Sequence, residues 1–140
     1  MAVRAKATEY EKGRAMDRLY DLLSLQKSVE QEFGDKNYNI FVFGSYITTR
    51  YEEGRSDIDI AVYAEDFNLY KKLSVYLEEY FKLKGIDSDI FYIDMSVEAP
   101  VYCAALKSRV QFTDYYPQKL LEFEKRCRKK LDEDKARMVG

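Results

Sequence analysis

Apolar and polar positions change period several times along the chain, and each change predicts an element. From about residue 8 to 33, Met16, Leu19, Tyr20, Leu23, Val29 and Phe33 recur at helical spacing, predicting a long amphipathic helix that Gly34-Asp35 closes. Asn37 to Phe43 contains Ile40-Phe41-Val42-Phe43, with too few polar alternations for a half-exposed strand, so it reads as a central strand buried on both faces. A short helix is expected to start at Gly44-Ser45, followed by a loop through Glu52-Glu53-Gly54 and a second strand from about Asp57 to Tyr63. Phe67, Tyr70, Leu73, Leu77 and Phe81 stripe a helix from about Asp66 to Lys84, which Gly85 ends. A third strand over Asp87 to Ile93, a helix near Val97 to Lys107, an extended piece near Arg109 to Thr113 and a final helix after Pro117 follow. The order is α-β-α-β-α-β-α-(β)-α, with no internal repeat.

Composition narrows the class. At 140 residues, 46% hydrophobic and 15% aromatic, the chain reads as one globular domain over residues 1–140, with a core that needs no staples. A net charge of −2 argues against coating nucleic acid by charge alone. Cys103 and Cys127 form no CxxC pair, and no signal peptide precedes them, so reduced, packed thiols in a cytoplasmic protein are expected. No run approaches the roughly 18 apolar residues of a membrane span. The chain has no histidine, which removes Ser-His and Cys-His chemistry and leaves carboxylates, metal-bound groups or lysine for base catalysis.

Two motifs carry chemistry. Gly44-Ser45 follows a buried strand, where a glycine allows close approach of a ligand and the N–H groups of a starting helix attract anions. Asp57 and Asp59 stand two apart at the start of the next strand, so they project from one face while Ile58 and Ile60 take the other. Paired carboxylates that repel when empty suit a hard cation such as Mg²⁺, itself shared with substrate phosphates. A tight structural turn and a solvated strand face are the ordinary alternatives for each motif alone; in this order and spacing the two reinforce each other. The five cations around Cys127 (Lys125, Arg126, Arg128, Lys129, Lys130) are flanked by Glu122, Glu124, Asp132, Glu133 and Asp134 and read as a solvated, ion-paired helix rather than an RNA grip.

Gly44-Ser45 followed by Asp57-Ile58-Asp59 resembles the glycine-serine and Asp-x-Asp signature of the DNA polymerase β-like nucleotidyltransferase superfamily, and most of all its minimal, MntA-type nucleotidyltransferases. The resemblance covers about Ile40 to Thr113. It implies a third carboxylate on the next strand, a role that falls to Asp89, with Asp87 as the rival on the same face. Family members commonly follow the serine with an aromatic, a small residue, arginine and glycine. Here Tyr46 is followed by Ile47-Thr48-Thr49-Arg50, so both Arg50 and Arg55 are candidates to touch a triphosphate beside Gly44 and Ser45.

The resemblance further implies an α/β (α+β) fold, a small mixed β-sheet with helices packed on one face and the carboxylates on the other. Its motif core would span about 38–113 and a C-terminal helix about 117–136. The implied reaction is Mg²⁺-dependent transfer of a nucleoside monophosphate, AMP from ATP, to a hydroxyl. Asp57, Asp59 and Asp89 would bind two Mg²⁺ ions and act catalytically. The implied acceptor is a tyrosine of a HEPN-type toxin, with this chain as antitoxin. A small-molecule enzyme of the antibiotic-modifying kind and a catalytically silent binding module are the alternatives.

Overall fold

Thr8 begins the first helix for a local reason: its hydroxyl accepts from the Glu11 N–H at 3.0 Å while the Glu11 carboxylate accepts from the Thr8 N–H at 2.9 Å. This reciprocal capping satisfies two donors that a helix start leaves open. A computed structural model describes residues 6–139, and in it the helix, α1, runs over Glu9–Phe33. The remaining elements are β1 (Tyr38–Phe43), a 3₁₀ turn (Gly44–Ile47), β2 (Ile58–Ala64), α2 (Phe67–Leu83), β3 (Ser88–Tyr92), α3 (Pro100–Leu106), β4 (Val110–Phe112) and α4 (Gln118–Val139). Asp66 caps α2 by accepting from the Asn68 N–H at 2.8 Å. Helix α3 is shorter than the sequence suggests, because Pro100, which cannot donate within a helix, takes its first turn.

The four strands form one mixed sheet in the order β3-β2-β1-β4. β1 pairs antiparallel with β2 and β4, and β2 pairs parallel with β3. Parallel neighbours need a crossover, which α2 supplies. The antiparallel pair β1–β2 could close with a tight hairpin, yet the whole segment 44–57 connects them. Such long connections on a rigid sheet are where functional groups gather. The sheet and its α+β class match the sequence expectation.

The layering does not. Helices cover both faces of the sheet, not one. Tyr38, Ile40 and Val42 of β1 and Ile58, Ile60 and Val62 of β2 pack against Leu22, Leu25 and Val29 of α1 and Leu73, Leu77 and Phe81 of α2. Phe41, Phe43, Ala61 and Tyr63 on the opposite face pack with Tyr102, Cys103 and Leu106 of α3 and Leu120, Phe123 and Cys127 of α4. The reason is in β1: all six residues are buried, and a strand apolar on both sides must be covered on both.

The helical stripes also shift. In α1 the buried positions are Arg18, Leu22, Leu25 and Val29, whereas Met16, Tyr20 and Leu23 are 51%, 62% and 55% exposed. α1 carries more apolar residues than one stripe needs, and tertiary packing selects which stripe turns inward. Phe67 of α2 is likewise exposed and stacks on Tyr70. Both cysteines are free and buried, with burial pushing each thiol above its ordinary value, which keeps them protonated. Of the five cations, Arg128 pairs with Glu124 at 2.8 Å and Lys130 with Asp134 at 3.9 Å along α4 as expected, whereas Arg126 reaches Glu98 ahead of α3 at 3.4 Å.

Candidate active site

The sheet itself aligns two of the carboxylates. In the parallel pair, Asp59 of β2 stands opposite Asp89 of β3, and on the other side of β2 Asp59 stands opposite Phe43 of β1. Residues at one rung point to the same face, so Asp59 and Asp89 share the face that carries Phe43, Ala61 and Phe91. Phe43 and Phe91 meet edge to face at 5.7 Å and form an apolar floor beside them. Asp57 lies just before β2, where the chain enters the strand, and is exposed, as is Asp89. Asp87 lies outside β3, and its carbonyl accepts the Ile58 N–H at 3.0 Å.

Electrostatics ties three of these groups together. The Asp59 carboxyl is held above its ordinary range, first by burial, then by the negative charges of Asp89 and Asp57. Like charges this close disfavour the ionised form of Asp59, and a bound cation would relieve that repulsion. As the side chains stand, no group of three His, Cys, Asp or Glu residues among the described residues is gathered tightly enough to enclose an ion. The donor chemistry nevertheless fits a hard cation: all oxygen, with no lysine or arginine ion pair to Asp57, Asp59 or Asp89 among the described residues, and with Asp57 and Asp89 exposed.

Gly44 is built against this cluster. Its φ is +77°, and a Cβ added there would stand 2.3 Å from Asp59 Oδ2. The backbone thus passes Asp59 at a distance that only glycine permits. Ser45 follows inside the 3₁₀ turn, whose N-cap position is held by Phe43, not by Ser45. The Thr48 hydroxyl donates to the Ser45 carbonyl at 2.8 Å and accepts from the Arg50 N–H at 3.1 Å, so the turn and the following loop are stitched together. The Arg50 side chain is exposed and has no partner among the described residues; Arg55 lies 3.9 Å from Glu52 in an exposed pair. Neither arginine touches the carboxylates. Both sit on the segment that leads from Gly44 to Asp57.

The sequence reading missed Arg18. It is buried against the 3₁₀ turn from the α1/α2 face. Its signal was an arginine in register with the stripe Leu22, Leu25, Val29 that faces the core.

Among solved structures, the chain is similar to one described as a toxin–antitoxin complex with AMP-PNP, at 22% identity and a TM-score of 0.46, covering 86% of this chain and 90% of that one. It is similar to a tri-AMPylated Shewanella oneidensis HEPN toxin in complex with its MNT antitoxin, at 20% identity and a TM-score of 0.45, covering 86% and 91%. A mutant MntA toxin–antitoxin complex matches at 19% identity and a TM-score of 0.48, covering 83% and 90%. At these scores the likenesses carry no argument about activity or partner. A comparison with curated proteins finds no match. The family model of the nucleotidyltransferase domain, in contrast, matches residues 22–133, which include the glycine-serine turn and all three carboxylates. The chain belongs to the nucleotidyltransferase domain family.

Proposed function

We propose that this protein transfers AMP from ATP to a hydroxyl, in a Mg²⁺-dependent reaction, and that the acceptor is a tyrosine of a HEPN-type toxin partner that the chain thereby restrains. The observation that carries the reading is the alignment of Asp59 with Asp89 on one rung, with Asp57 two residues before Asp59 and Gly44 against it. Asp57 and Asp59 would hold a cation on the triphosphate, and Asp89 would help hold a second. Bound ions would neutralise triphosphate charge and lower the pKa of the acceptor hydroxyl. Gly44 lets the backbone pass directly against the Asp59 carboxylate, so the Ser45 turn would present its backbone to phosphates held by a cation on that carboxylate. Arg50 and Arg55, on the loop between the turn and Asp57, are placed to meet phosphate charge without first breaking a buried ion pair. The acceptor oxygen bonds to the α-phosphorus as the bond to the bridging oxygen of the leaving pyrophosphate breaks, and the hydroxyl proton passes to solvent. None of these roles needs a histidine.

Support for a protein acceptor comes from the resemblance of the signature to minimal nucleotidyltransferases, and from a site in which Asp57 and Asp89 are exposed beside a half-buried Asp59. An open site gains from an acceptor that brings its own positioning surface. The test is incubation with α-labelled ATP and Mg²⁺, with and without a HEPN-domain protein encoded beside this gene, followed by intact-mass measurement. The expected result is a partner heavier by one AMP per transfer. An unmodified partner in a stable complex would mean silent binding, and turnover of an aminoglycoside or similar hydroxyl compound without any partner would mean a small-molecule enzyme.

A further inference from the structure

Among the described residues Arg18 is the only charged side chain that is buried, at 6% exposure. Burying a cation carries a desolvation penalty that only well-placed partners offset. A leucine or methionine would continue the Leu22-Leu25-Val29 stripe without that penalty. The guanidinium therefore has to be explained by what it holds. Its Nε donates to the Tyr46 carbonyl at 2.9 Å and its Nη2 to the Thr48 carbonyl at 2.8 Å. It lies over the rings of Tyr51 at 4.7 Å and Tyr46 at 5.7 Å, and these two rings meet edge to face at 5.0 Å. Its Nη1 is 4.0 Å from Glu53, which Arg14, one turn earlier on α1, grips at 2.7 Å.

Every one of these partners falls within residues 46–53, the segment that continues directly from Gly44-Ser45, contains Arg50 and ends two residues before Arg55. Thr48 is the link: its carbonyl is held by Arg18, while its hydroxyl is bonded to the Ser45 carbonyl and the Arg50 N–H. Without Arg18, the loop beyond Thr48 keeps mainly local bonds, such as Arg55 N–H and Ser56 N–H to the Glu52 carbonyl. Arg14 and Arg18 both precede residue 22, where the match to the family domain begins. The brace is thus supplied by the chain ahead of the matched domain.

We propose that Arg18 is a positioning residue, which fixes the Gly44-Ser45 turn and the Arg50–Arg55 loop in the arrangement that receives a triphosphate and so sets nucleotide affinity. This rests on the reading of the site as a triphosphate site. The test compares wild type, R18M, R18K and L25A by calorimetric titration with Mg²⁺ and a non-hydrolysable ATP analogue, with melting curves alongside. L25A weakens the same helix from a buried position two turns further along, whose apolar side chain makes no hydrogen bond to the turn.

R18M is expected to lose affinity on the order of tenfold or more, since small misplacements of binding groups are costly. R18K keeps the charge but cannot serve both carbonyls in a fixed fork, and should fall between R18M and wild type. L25A should melt earlier and bind as wild type does. In turnover, the Arg18 variants should raise the KM for ATP and leave that for the acceptor unchanged. Wild-type affinity in R18K, or a loss in L25A equal to that in R18M, would overturn the inference; if R18M does not fold, R18K decides alone. Wild-type protein that binds no nucleotide would sink the triphosphate site and the brace with it, whereas wild-type binding with an unaffected R18K would sink only the brace.

Discussion

At position 44 two constraints coincide: a left-handed φ of +77° and an Asp59 oxygen 2.3 Å from where a Cβ would stand. G44A or G44V must therefore strain the backbone and displace Asp59 together, so stability and nucleotide binding should fall in the same variant. The strain alone is expected to cost about 1–3 kcal/mol, measurable by urea denaturation. A folded G44A that binds Mg²⁺-ATP as wild type does would make the turn merely structural. Asp57→Asn and Asp59→Asn keep shape and remove charge, and each should lower transfer on the order of a hundredfold or more while the fold stays intact, read by a transfer assay and circular dichroism. Asp59 also carries a pH signature. Because its carboxyl is held above the ordinary range by burial and by Asp89 and Asp57, folding favours its protonated form. That contribution is fully present below the ordinary carboxylate range and is lost as pH rises through the higher folded-state value. In EDTA, D59N should thus melt above wild type near neutrality, with the gap closing at acid pH. A melting difference that does not change with pH would show that Asp59 is not under that repulsion.

Among the elements, β3 decides between two neighbouring carboxylates. Its register puts Asp89 opposite Asp59 and leaves Asp87 outside the strand, bonded through its carbonyl to Ile58. Asp89→Ala should lower the transfer rate with little change in nucleotide binding, because its proposed role begins when the acceptor hydroxyl is activated. Asp87→Ala keeps the backbone bond and should remain active; the reverse pattern in single-turnover kinetics would reassign the third carboxylate. The connection from β1 to β2 is the other functional element. It is long for an antiparallel pair, and its length is what brings the turn, both arginines and Asp57 to one end of the sheet.

Across the whole molecule, the sheet is a shared wall between two cores. Leu25 of α1 is buried on one side and Phe123 of α4 on the other. L25A is expected to destabilise by about 2–5 kcal/mol and F123A by about 3–5 kcal/mol, since each leaves a cavity against the same strands. Chemical denaturation checks both; a near-neutral F123A would mean that the α4 face is not a working core. The site lies at the sheet end where Phe43, Asp59 and Asp89 share a rung, so the two cores hold it rigid without enclosing it.

The order of elements, the doubly buried β1 and the grouping of Gly44-Ser45 with Asp57-x-Asp59 were legible in the chain, because strand alternation, helix period and the glycine-serine and Asp-x-Asp motifs are local properties of sequence. What could not be read there depends on which surfaces meet. The stripe expected for α1, through Met16, Tyr20 and Leu23, is not the one it buries, Arg18-Leu22-Leu25-Val29, because the helix has apolar residues enough for both and only the opposing sheet selects between them. Coverage of both sheet faces was implied by β1 alone, but which helices supply it depends on how the strands are ordered. The rung that joins Asp59 to Asp89 depends on the pairing of strands separated by a whole helix, and the grip of Arg18 on Tyr46 and Thr48 joins segments about thirty residues apart, a distance over which only tertiary packing acts.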